Sequence, residues 1–139
     1  MAWGALILWV LTALGGFYLL VTWLQHGGMQ HGDRPGRRIR PPLILGHFAL
    51  AATGLVLWII YVAADSDALA WIAFVLLLVV ALLGFTMLAA WLAQRGGATA
   101  AETADAAERN FPQAVVGLHG VLAATTLVLV FLATIGVGD

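Results

Sequence analysis

Polar residues in this chain are confined to a few short zones, and between them the sequence is almost continuously apolar. Four apolar stretches stand out, at roughly 3–25, 42–64, 68–93 and 111–136. A helix rises 1.5 Å per residue, and a bilayer hydrocarbon core is about 30 Å thick, so about 20 apolar residues cross it. Each stretch is long enough. The pattern predicts an all-α integral membrane protein, a four-helix bundle, occupying residues 1–139 as one membrane domain.

Composition agrees. Of 139 residues, 63% are hydrophobic and 9% charged, with mean hydropathy +1.00. A soluble domain of this size could not bury so much apolar surface, which makes the lipid bilayer its first partner. The opening stretch does not read as a signal peptide: it lacks a positive n-region and its apolar run is too long. With no cysteine, disulfides, thiolate metal sites, iron–sulfur clusters and C-x-x-C-H haem attachment are excluded.

Charge adds a direction. There is no lysine, and the six basic residues are Arg34, Arg37, Arg38, Arg40, Arg95 and Arg109. All lie between helices one and two or between three and four. The positive-inside rule places these connections in the cytoplasm and both termini outside, in a multi-pass protein of the cell membrane. Topology accounts for the arginines, so nothing points to nucleic acid.

The chain also repeats itself. HFALAATGLVL at 47–57 and HGVLAATTLVL at 119–129 agree at eight of eleven positions. Residues 3–24 laid on 71–92 agree at ten of twenty-two, including Trp3/Trp71, Gly16/Gly84, Phe17/Phe85 and Trp23/Trp91. The reading is a duplicated helical hairpin, repeat one about 3–67 and repeat two about 71–139. Both units enter from the same side, which predicts a pseudo-two-fold axis along the membrane normal.

The loop at 26–41 is rich in Gly, Pro and Arg and predicts irregular structure. Pro41 and Pro42 suit the start of helix two, and Pro112 that of helix four. Between helices three and four, Glu102, Asp105 and Glu108 at spacing three predict a short helix with a wetted acidic face. The six tryptophans, Trp3, Trp9, Trp23, Trp58, Trp71 and Trp91, fall mostly near helix ends and read as interfacial anchors. Trp58 and Tyr61 could instead border a quinone pocket.

The candidate chemistry lies in the two histidines that open the repeated segments. His47 and His119 enter parallel helices to similar depth, about 8–11 Å from the helix starts. In an up-down bundle these helices are diagonal neighbours, so the imidazoles can meet near the axis. Small residues follow each on the same face: Ala51 and Gly54, then Ala123 and Thr126. They leave a slot for a flat macrocycle or allow close helix approach. A porphyrin iron takes two axial imidazoles on opposite faces, and helix bundles hold such sites between facing helices. Arg38 and Arg40 lie within reach of propionates. The expectation is one bis-histidine haem b, with His47 and His119 as metal ligands.

Two other uses of the pair stay open: hydrogen-bonded helix glue, and a proton or transition-metal relay. A zinc or copper site would want further ligands, and Met87 is more simply packing. His26, Met29 and His31 form a weaker cluster that could bind copper, although the repeat does not reproduce it.

On the His-helix segments and their arrangement, the chain resembles the transmembrane b-type cytochromes, in particular the ascorbate-reducible cytochromes b. That family pairs histidines twice; His47 and His119 match one pairing, and two further helices and a second pair are absent. The resemblance implies electron transfer by a small subunit or partner of a larger redox system rather than a self-sufficient enzyme. A single haem does not bridge about 30 Å of hydrocarbon, so a quinone, a redox protein subunit or a second protomer would complete the path. The alternative is a non-redox accessory membrane subunit or small transporter, its histidines structural or proton-relaying.

Overall fold

The computed structural model describes residues 1–30, 39–97 and 106–138. It contains four long helices: α1 (Ala2–Gln25), α2 (Pro41–Ala64), α3 (Asp67–Gly97) and α4 (Gln113–Thr134). All four are long and apolar enough to cross a membrane. The expected boundaries hold within about four residues. Pro41 and Pro42 open α2, where a missing N–H costs nothing. Asp65 ends it in the left-handed region at φ 51°, a conformation a short polar side chain tolerates. Its N–H donates to Tyr61 O at 2.8 Å, and α3 begins two residues later.

The bundle is up-down. Its two ends differ in what closes them. At the termini end, the Met1 ammonium donates to Gly138 O at 2.9 Å, bringing the start of α1 beside the end of α4. At the loop end, a short 3₁₀ turn, Ala107–Asn110, precedes α4. The acidic segment expected as a helix, with Glu102 and Asp105, lies outside the described residues.

Glu108 is fully buried rather than wetted. Its carboxylate accepts the Ile39 N–H at 3.3 Å, and its carbonyl accepts the Trp91 indole N–H at 3.2 Å. One residue thus fastens the two loop-end connections and α3 together. Spacing alone assigned it to solvent because spacing carries no information about what folds over the turn.

Packing is densest between α1 and α4 and between α2 and α3, which are pairs drawn from different repeats. Buried positions recur in register along the repeat. In α1 and α3 the pairs are Ala5/Ala73, Trp9/Leu77, Thr12/Val80 and Trp23/Trp91; in α2 and α4 they are Gly54/Thr126, Trp58/Val130 and Tyr61/Ala133. In lipid, helix association rests on close contact of small residues and on packing rather than on water exclusion. Ala5 and Ala73, both without exposed surface, serve the first role.

Four tryptophans supply the second, contrary to the anchor reading. Trp9, Trp23, Trp58 and Trp91 are buried, and only Trp3 and Trp71 face outward. Trp9, Trp58 and Tyr61 join the termini-end core, with centroids 6.2 Å apart for Trp9–Trp58 and 4.7 Å for Trp58–Tyr61. The Trp58 indole donates to Ala2 O at 3.3 Å. Trp23 and Trp91 form the loop-end core with Ile39, Ile44 and Ala107.

Candidate functional site: a paired-histidine centre

His47 and His119 each stand six residues after the first residue of their helix, Pro41 and Gln113 respectively. Equal depth on parallel helices brings the rings together. Their centroids are 6.4 Å apart and the planes meet at 65°.

Each ring is held by the helix of the other repeat. His47 Nδ1 lies 3.1 Å from Val80 O on α3, and His119 Nδ1 lies 3.0 Å from Thr12 O on α1. A carbonyl only accepts, so Nδ1 carries the proton in both rings and donates it. Thr12 and Val80 occupy equivalent positions of the duplicated segment. Two histidines, two carbonyls and four helices thus form one arrangement used twice.

The reason these carbonyls can be reached is local. In an α-helix the carbonyl of residue i receives the N–H of residue i+4. For Thr12 and Val80 that residue is Gly16 and Gly84. A Cβ at Gly16 would lie 2.9 Å from His119 Cε1, and one at Gly84 would lie 3.3 Å from His47 Cε1. Gly15 adds to the clearance, with His119 Nδ1 3.7 Å from its would-be Cβ. Any side chain at Gly16 would shield the carbonyl and displace the imidazole.

With Nδ1–H committed to a carbonyl, Nε2 is the nitrogen whose lone pair remains for a ligand. Metal-ligating histidines use the same arrangement, since the carbonyl fixes the tautomer and raises the basicity of the ring. The spacing also suits a shared metal. Two metal–nitrogen bonds of about 2.0 Å, plus about 1.1 Å from each nitrogen to its ring centre, put opposed centroids about 6.2 Å apart. The observed 6.4 Å between ring centroids is close to that value. The pair supplies only two protein ligands, and no group of three or more His, Cys, Asp or Glu suited to a metal occurs among the described residues. A macrocycle that brings its own four nitrogens suits such a pair better than a bare ion.

The other residues singled out from the sequence are placed as follows. Ala51 and Ala123 are half-buried, on the termini side of the pair. Gly54 and Thr126 are buried on the same flank, but the space over them is filled. A Cβ on Gly54 would lie 3.1 Å from Trp9 Cζ2, and Thr126 Oγ1 lies 3.1 Å from Thr12 Oγ1. In this hydroxyl pair one donates to the other, which keeps its own bond to the carbonyl a turn back, Leu8 O or Leu122 O, at 2.8 Å. At histidine level, Gly15, Gly16 and Gly84 leave the room that the imidazoles themselves occupy. Gly16 and Gly84 were visible as a repeated Gly-Phe, but which face they present depends on helix rotation.

Arg40 is exposed at the N-cap of α2; Arg38 lies outside the described residues. Met87 packs in the loop-end core. His26 caps α1, its Nδ1 2.7 Å from Thr22 O, and Met29 is exposed. His31 lies outside the described residues.

Comparison of the chain with protein-family models, curated proteins and solved structures finds no match.

Proposed function

We propose that this protein is a membrane-bound haem b protein that mediates electron transfer, with His47 and His119 as the two axial ligands. One observation carries the reading. Two repeat-related imidazoles are held 6.4 Å apart, each with Nδ1 committed to a backbone carbonyl and Nε2 left to bind. A bound haem would supply one-electron chemistry. The chain's own part is to offer two nitrogens of fixed tautomer, to hold them half-buried among apolar helices, and to present Arg40 at the start of α2 toward propionate charge. The arginine-bearing loops are cytoplasmic and both termini outside, so the site lies on the cytoplasmic side. The electron's other partner is a quinone, a redox subunit or a second copy of the chain.

A second reading is favoured by the same hydrogen bonds. Each imidazole already joins helices of different repeats, α2 to α3 and α4 to α1. Histidines of that kind suit a non-redox accessory subunit or small transporter, where they glue the bundle or relay protons. The visible spectrum of protein purified in detergent separates the two. The haem reading expects a sharp Soret band that shifts on addition of dithionite. Protein that stays colourless after hemin is supplied leaves the non-redox reading.

A further inference from the structure

We propose that Arg40 and Arg95 form a binding site for the headgroup phosphate of an anionic phospholipid, at the loop end of the α2–α3 seam, and that the bundle has one such site rather than two. The proposal does not rest on the haem reading. The two meet at one point only, because a guanidinium held by lipid phosphate is not free for a propionate.

Register brings the two arginines together. α2 and α3 are antiparallel and closely packed. His47 meets the carbonyl of Val80, and a Cβ on Gly84 would lie 3.3 Å from its ring. Arg40 stands seven residues before His47, and Trp91 stands seven after Gly84, so these two are level. Arg95 follows Trp91 by one turn, about 6 Å further along the axis. Packed helices lie about 8–10 Å apart, so two arginine side chains at these positions reach one phosphodiester.

Arg95 is held ready for that contact. Its guanidinium carbon lies 4.7 Å from the centroid of the Trp91 ring, a cation–π arrangement. The ring is itself fixed by its N–H bond to Glu108 O at 3.2 Å. The Gln113 amide oxygen, at the start of α4, accepts from Nε and Nη2 of the same guanidinium. The Nη1 edge is left to a phosphate. Arg40 is the N-cap of α2, which opens on Pro41 and Pro42. Prolines carry no N–H, so the helix terminus offers an anion little and the guanidinium supplies the contact. Both arginines are exposed, and among the described residues no carboxylate pairs with either.

The surroundings suit an amphiphile. The two loop-end connections and the last turn of α3 carry six arginines against four carboxylates, Asp33, Glu102, Asp105 and Glu108, and Glu108 is buried. On the bilayer side of the arginines, Leu45 and Leu92 are exposed and offer a surface for acyl chains. A free anion has no use for that apolar surface, which commits the site to lipid. Basic sites between transmembrane helices at an interface recognise anionic headgroups in this way.

The duplication argues for a single site. In the repeat, Pro112 stands where Arg40 does, and His26 precedes Gly27-Gly28 as Arg95 precedes Gly96-Gly97. Proline has no side-chain donor, and His26 Nδ1 already lies 2.7 Å from Thr22 O. The α4–α1 seam therefore lacks the pair of guanidiniums.

The test uses full-length protein in neutral detergent. Thermal unfolding and native mass spectrometry are read against added phosphatidylglycerol, phosphatidylcholine or inorganic phosphate at one ionic strength. Phosphatidylglycerol should raise the unfolding midpoint saturably, with one lipid retained per chain, and the other two should do neither. Arg40→Gln and Arg95→Gln should each raise the half-saturating lipid concentration by about fivefold, the factor that one surface cation contributes toward an anionic leaflet. The double variant should retain no lipid. Arg95→Lys keeps the charge but loses the fork, so it should fall between Arg95→Gln and wild type. Asp65→Asn, at the opposite end, should bind as wild type. Equal retention of phosphatidylglycerol and phosphatidylcholine overturns the proposal, as does wild-type binding by the double variant. Inorganic phosphate that stabilises as well as the lipid also overturns it, since the site is then one for a free anion. Two equivalent lipids per chain overturn the single-site claim. If Arg95→Gln fails to fold, Arg40→Gln and Arg95→Lys decide the matter.

Discussion

The two halves of the bundle treat the same duplication differently. At histidine level the repeats keep their equivalence: His47 matches His119, the Val80 carbonyl matches that of Thr12, and Gly84 matches Gly16. Toward the termini end they diverge, although burial stays in register. Trp9 stands opposite Leu77 in the alignment, Gly54 opposite Thr126, Trp58 opposite Val130 and Tyr61 opposite Ala133. At the first two pairs the repeats have traded volume, whereas at the last two the first repeat carries the larger side chain. A large indole over a glycine in one takes the place of two medium side chains in the other. A core needs only total volume and shape to be right, so its residues can drift in compensating pairs. Under the proposed haem reading, a site on the axis needs its two halves alike, because one ligand would be shared between them. The retained equivalence at histidine level is what that proposal requires.

Substitutions sharpen this contrast, and the largest effect belongs to the symmetric half. His47→Ala or His119→Ala should abolish the six-coordinate low-spin spectrum, leaving colourless or high-spin protein in absorption measurements. Next comes Trp58→Ala in the asymmetric half. Its indole is fully buried, and removal should cost about 3–5 kcal/mol in unfolding experiments, yet leave the spectrum of the folded fraction unchanged. Gly54→Leu sharpens the comparison further. The added bulk meets Trp9 rather than the histidines, so a loss of about 1–3 kcal/mol should appear in stability and not in the Soret band. Thr126→Val removes one hydroxyl of the Thr12 pair and should cost about 1 kcal/mol, again without spectral change. Smallest of all, His26→Ala at the exposed end of α1 should alter neither property. A spectral change in Gly54→Leu or Thr126→Val would blur the division between the halves.

Much of this was legible in the sequence. Helix number and extent followed from composition, because twenty-odd apolar residues have few other uses. The histidine pairing followed from the repeat, and equal depth from the prolines. What stayed hidden depends on rotation of each helix about its axis, which an all-apolar sequence does not encode: nearly every face is hydrophobic, so no stripe marks the inside. Hence Trp9, Trp23, Trp58 and Trp91 read as interfacial anchors yet are core. The slot assigned to Gly54 and Thr126 is taken by Trp9 and Thr12, whereas the glycines against the imidazoles are Gly15, Gly16 and Gly84. Glu108 shows a different limit. Its partners, Ile39 and Trp91, come from remote parts of the chain, and periodicity is blind to them.

The most direct test of the central claim is the haem content of the purified chain, measured as the pyridine haemochrome and divided by protein concentration. One non-covalent haem b per chain, low-spin in the wild type and lost in both His47→Ala and His119→Ala, is the result the paired-histidine account predicts. No haem after hemin supply contradicts it. So does one haem per two chains, which would place the ligands in different molecules. Full occupancy that survives both substitutions would contradict it as well.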